Sequence, residues 1–146
     1  MLQRWIVAIN NAFEQVLLGV GLLTLRISFG LGMLLGHGLE KALNFGQLKN
    51  LFPDPLGLGP TLSLALCVFA EVICAGLVTI GLLTRLACVP LIINMLVAFL
   101  IIHAQDPWVR KELAFVYFMG YITILLTGPG PFALDTLFRR RSPPQT

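Results

Sequence analysis

Arg26 and Glu71 each stand in the middle of a long apolar run, which makes them the residues of this sequence best placed to do chemistry. An arginine at the centre of a membrane helix costs about 2.5–3.5 kcal/mol on insertion scales, and a carboxylate costs about as much. A chain that carries both is expected to pair them inside a helical bundle. Asn94 lies mid-run in a third apolar stretch, at the same expected depth. A guanidinium, a carboxylate and a carboxamide together can hold a polar head group or relay a proton. The plainer alternative is an ion pair that only sets helix register, since a buried pair is not itself a strong source of stability.

His37, Lys41, His103 and Glu112 form a second set, at the expected outer ends of the apolar runs. His37 is eleven residues beyond Arg26, about 20° from the same helical face, so a polar track is expected from the outer mouth down to Arg26. Read plainly, these are interfacial anchors whose heads reach for water. Two histidines at one membrane face also raise a bis-histidine haem. However, Asn94 and His103 are nine residues apart and fall on opposite faces of an unbroken helix. His103 is therefore not expected to join both the Asn94 site and a central haem, and haem is disfavoured.

Cys67 and Cys74 share one face of the second run, yet about 10 Å of helix separates them, too far for a disulfide. With Cys88 they read as small packing residues. Tyr117 and Tyr121 form one stripe on the fourth run, suited to aromatic packing or to lining a pocket. Gly32 and Gly36 form a small-xxx-small pair that permits close helix contact. No phosphate loop, catalytic triad order or zinc-ligand spacing is present, so no metal is expected.

The elements that must position these groups are membrane helices. The chain has 146 residues, 57% hydrophobic and 12% charged, with a mean hydropathy of +0.87. Soluble domains run nearer 25% charged. The net charge of +3 forms no stripe that would suit nucleic acid. Apolar runs cover residues 16–36, 61–82, 86–102 and 113–127. They predict an all-α membrane protein: a single domain over 1–146, folded as a four-transmembrane-helix antiparallel bundle. Residues 1–14 place Leu2, Trp5, Ile6, Ile9 and Phe13 at helical spacing, which predicts an N-terminal amphipathic helix. The first run is too long for a signal-peptide core, and no cleavage pattern lies after Gly36. The arginines at 139–141 lie close behind the last run and place both termini in the cytoplasm. Residues 37–60 then form an outer loop expected to pack over the mouth, its second half rich in proline and glycine.

Several segments, in order, resemble the DoxX family of small bacterial membrane proteins. They are Leu25-Arg26-Ile27-Ser28-Phe29-Gly30 leading to His37-Gly38-Leu39-Glu40-Lys41, then Phe52-Pro53, the region of Glu71, and Gly81-Leu82-Leu83-Thr84-Arg85-Leu86. Asn94-Met95, His103, Glu112-Leu113-Ala114 and Gly128-Pro129-Gly130 complete the set. The resemblance implies a four-helix bundle in the bacterial inner membrane. Some members are linked to thiosulfate:quinone oxidoreductase and others to membrane-associated oxidative-stress complexes. The expected function is a small inner-membrane subunit of a quinone-linked redox system, with the lipid bilayer and a redox-enzyme partner around it. The candidate ligand-binding residues are Arg26, His37, Lys41, Glu71, Asn94, His103 and Glu112. No cofactor is evident beyond a quinone, and the enzyme question stays open. The alternatives are a non-catalytic scaffold or lipid-binding protein, and a small transporter that would need to form a homo-oligomer.

Overall fold

Between Val16 and Gly36 the only charged residue is Arg26, and no proline interrupts the run. The backbone therefore satisfies its own polar groups in a single rod, as lipid requires. In the computed structural model, which describes residues 2–141, helix α1 (Leu2–Met33) passes through a π-helical turn (Leu34–Gly38) into α2 (Leu39–Leu43). The N-terminal turns and the first span are thus one continuous helix. The side chains of residues 4–9, including Trp5, lie outside the described residues, as do those of the arginines at 139–141.

A short helix α3 (Phe45–Leu48) precedes the Pro/Gly segment. Gly57 and Gly59 adopt positive φ there, a conformation that a side chain would strain. Helix α4 (Pro60–Val68) starts on a proline, whose fixed φ and missing amide suit a first turn. A second π-helical turn (Phe69–Cys74) joins it to α5 (Ala75–Ile80), and Gly81 ends the rod in a left-handed conformation. Helix α6 (Thr84–Val97) begins almost at once and runs into a third π-helical turn (Ala98–Ile102). After Pro107 come α7 (Trp108–Thr127) and α8 (Leu134–Arg141). The described residues contain no strand.

Three rods, Asn10–Leu43, Pro60–Ile80 and Thr84–Ile102, are long and apolar enough to cross a membrane. Helix α7 is equally long but carries Arg110, Lys111 and Glu112 near its start. The fold is that of an all-α membrane protein. Its four long rods pack with α1 against α5 and α7, and α6 against α7. Met33, Ala75, Val78, Cys88, Leu91, Tyr121 and Ile124 form the core.

Small residues set the register. A Cβ on Gly30 would overlap Thr79, and one on Gly38 would overlap the backbone of Glu71. Of the expected small-xxx-small pair, Gly32 lies close against the Tyr117 hydroxyl, while Gly36 faces open space. At the other end, Asp135 closes the hairpin between α5 and α6. Its carboxylate accepts the amides of Leu83 (2.8 Å) and Thr84 (3.0 Å) and the Thr84 hydroxyl (2.9 Å), capping a helix start whose own N-cap, Leu83, has no acceptor side chain.

Candidate functional site

Glu71 lies in the π-helical turn between α4 and α5, its side chain 5% exposed. Lys41 from α2 donates to Oε2 at 2.6 Å. Asn94 from α6 donates to Oε1 at 3.0 Å, and the Cys67 thiol, one turn earlier on α4, donates to the same oxygen at 3.3 Å. Three rods thus converge on a single carboxylate. The approach depends on Gly38, which lets the first rod lie directly on the Glu71 backbone and brings Lys41 within reach. Lys41 also donates to the His37 carbonyl at 3.5 Å, a long contact. An ammonium has three donors, so Lys41 keeps capacity for a ligand. Its charge and that of Glu71 offset one another.

Arg26 is not part of this cluster, and the expected Arg26–Glu71 pair does not form. Arg26 is buried, 1% exposed, and donates to the carbonyls of Val78 (3.4 Å), Thr79 (3.5 Å) and Phe132 (3.1 Å). Val78 and Thr79 belong to the last turn of α5, the negative end of the helix, where a cation is favoured. Those positions lie seven and eight residues past Glu71, about 10–12 Å along the rod. Depth estimated from the apolar runs failed because the first helix extends well beyond its run. The true register places Gly38, and not Arg26, opposite Glu71.

The expected track from His37 to Arg26 is absent for a related reason. His37 lies inside the π-helical turn at Leu34–Gly38, whose wider winding shifts it from the face an unbroken helix would give it. The third π-helical turn reverses another expectation. It lies between Asn94 and His103, and both residues line one cavity although an unbroken helix would oppose them.

That cavity has a volume of about 550 Å³ and is lined mainly by apolar side chains. His37, Lys41, Glu71, Asn94 and His103 all reach it, whereas Arg26 does not. Glu112 is exposed and also stays outside, its expected place at the mouth being taken by Arg110. The His37 ring meets Tyr117 edge-on at 5.8 Å, and Tyr117 lines the cavity. Tyr121 instead is buried in the core and donates to the Phe29 carbonyl at 3.1 Å. At the mouth, His103 Nδ1 lies 2.8 Å from Asp106. That contact, helped by Arg110 and Lys111, holds the Asp106 carboxyl below the ordinary carboxylate range. Cys67, expected only to pack, instead donates to Glu71; its spacing of four residues from that carboxylate is the sequence signal for the contact.

The Pro/Gly segment covers the mouth through Phe52, Pro53, Pro55, Leu56 and Leu58. Asp54 holds it in shape by accepting from Ser63 Oγ (2.8 Å) and from the amides of Leu58 (2.9 Å) and Gly59 (2.8 Å). The Ser63 bond, with those amides, keeps the Asp54 carboxyl below its ordinary value. A depressed value means the charged form stabilises the folded loop above the unfolded carboxylate pKa, about 3.9, and that this contribution fades as pH falls through the folded value. Asp54→Ala should therefore speed hydrogen exchange at Leu58 and Gly59 without changing helix content. Unchanged exchange at both amides would show that Asp54 does not hold the loop.

The helices and this cavity define an all-α membrane protein with a polar station facing an apolar chamber. The DoxX family model matches residues 21–104, and the chain belongs to the DoxX family. The match includes Arg26, His37, Lys41, Glu71, Asn94 and His103. An uncharacterized membrane protein of Mycobacterium tuberculosis is 32% identical over 125 residues, covering 68% of this chain and 76% of its own. An uncharacterized protein of Haemophilus influenzae is 30% identical over 133 residues, covering 86% of this chain and 87% of its own. No solved structure matches.

Proposed function

We propose that the protein is a small inner-membrane subunit of a quinone-linked redox or oxidative-stress system, and that its cavity holds a quinone-like or lipid head group. One observation supports this reading above others: an apolar chamber of about 550 Å³ ends on the buried Lys41–Glu71–Asn94 cluster. Ligand sites have this character, mostly apolar walls with a few convergent polar groups. Lys41 donates a hydrogen bond to a carbonyl oxygen of the head group. Glu71 orients Lys41 and is the group that would take up a proton released by the head group. Asn94 keeps Glu71 in place and presents its amide to the chamber. Electrons come from a redox partner. In this reading α7 is a fourth span, both termini are cytoplasmic and the cavity mouth faces outward.

The test is titration of purified protein in detergent with a short-chain quinone analogue. Wild type should bind saturably. His37→Ala and Asn94→Ala should leave the protein folded and weaken binding by about 2- to 150-fold, the range for one lost hydrogen bond. Absence of saturable binding by wild type would favour a scaffold without a ligand.

A further inference from the structure

The cavity wall changes character along its length. Met33, Cys67 and Glu71 are buried, whereas Leu66, Phe69 and Ile93 line the same chamber and are each about half exposed. Phe69 and Ile93 stand on neighbouring rods, Pro60–Ile80 and Thr84–Ile102. Each is nine residues from the mouth end of its rod, roughly 13 Å in depth. An opening at that depth faces hydrocarbon. It is separate from the polar mouth at His103 and Arg110. The chamber also has limited capacity. At about 550 Å³ it suits a molecule of ordinary ligand size, and a long isoprenoid or acyl tail does not fit inside with its head.

We infer that the gap between Leu66, Phe69 and Ile93 is a lateral portal, through which the chamber takes a single-tailed amphiphile directly from the bilayer. The inference rests on the head-group reading above and extends it to the shape of the ligand and its route. The head is uncharged and accepts hydrogen bonds, because Lys41 and Glu71 offset each other's charge while Lys41 retains one free donor. The tail stays threaded between the second and third rods, where the exposed side chains are apolar and lipid already lies outside. A tail in this position leaves lipid only over its first few carbons, so the portal governs entry while the polar station governs affinity.

The experiment uses two probes on the full chain in lipid nanodiscs. One is a benzoquinone with a ten-carbon tail ending in a diazirine; the other is the same benzoquinone without a tail. Photolysis of the tailed probe should label Leu66, Phe69 or Ile93, and excess tailless benzoquinone should compete the label away. Ile93→Trp, which adds bulk at the gap, should cut labelling at least about tenfold and leave the tailless affinity within about twofold. Ile93→Ala, which opens the gap, should retain labelling. Label at His103 or Arg110 would overturn the portal, because the tail would leave by the mouth. Label at Phe69 and Ile93 that excess head group does not compete would overturn it too, as ordinary lipid contact. Failure of the tailless benzoquinone to bind saturably overturns the head-group reading and the portal with it. Saturable binding with label elsewhere overturns the portal alone.

Discussion

Lys41→Met should destabilise the protein by about 3–5 kcal/mol, and Lys41→Met combined with Glu71→Leu should cost far less. The single change strands a carboxylate whose side chain is 5% exposed and leaves it with only a carboxamide and a thiol as donors. The double change removes both charges and puts apolar side chains against an apolar chamber, so no ion is left uncompensated. Unfolding of the purified variants in detergent measures both effects. A single variant as stable as wild type would mean that Glu71 does not depend on Lys41. A double variant as damaged as the single one would mean that packing, and not charge, explains the loss.

Arg26→Met should lower stability by about 2–4 kcal/mol, since charge-assisted hydrogen bonds to the carbonyls of Val78, Thr79 and Phe132 are lost and those acceptors stay in a dry setting. The more informative outcome concerns coupling. Adding Glu71→Leu to Arg26→Met should be additive within about 0.5 kcal/mol, as expected for separate sites. The equivalent cycle for Lys41 and Glu71 should show strong coupling. A coupling above about 1 kcal/mol between Arg26 and Glu71 would contradict the register of α1 against α5.

The helical class, the rod positions and the polar residues were legible in the sequence because lipid imposes a simple rule: apolar runs of spanning length become helices. The partners of those polar residues were not legible. Composition does not report how far one helix slides along another, and that offset is set here by Gly30 against Thr79 and Gly38 against Glu71. Glycine pairs of this kind carry no partner address in the sequence. The three π-helical turns were also invisible. None contains a proline, and only the first holds glycines, Gly36 and Gly38; the His37 and Glu71 they carry do not by themselves mark a π-helical turn. They nonetheless decide that His103 shares a chamber with Asn94 and that His37 leaves the face of Arg26. Asp135 illustrates the same limit at the far end, as it caps α6 from more than fifty residues away.

The Lys41→Met/Glu71→Leu variant also tests most directly whether the polar station is a ligand site. It should remain folded and keep the apolar chamber, so a short-chain quinone analogue titrated into it finds the same walls without the donor group. Wild type should bind saturably, and the double variant should bind at least about tenfold more weakly. Equal binding by the two proteins would contradict the assignment of Lys41 and Glu71 to the head-group station.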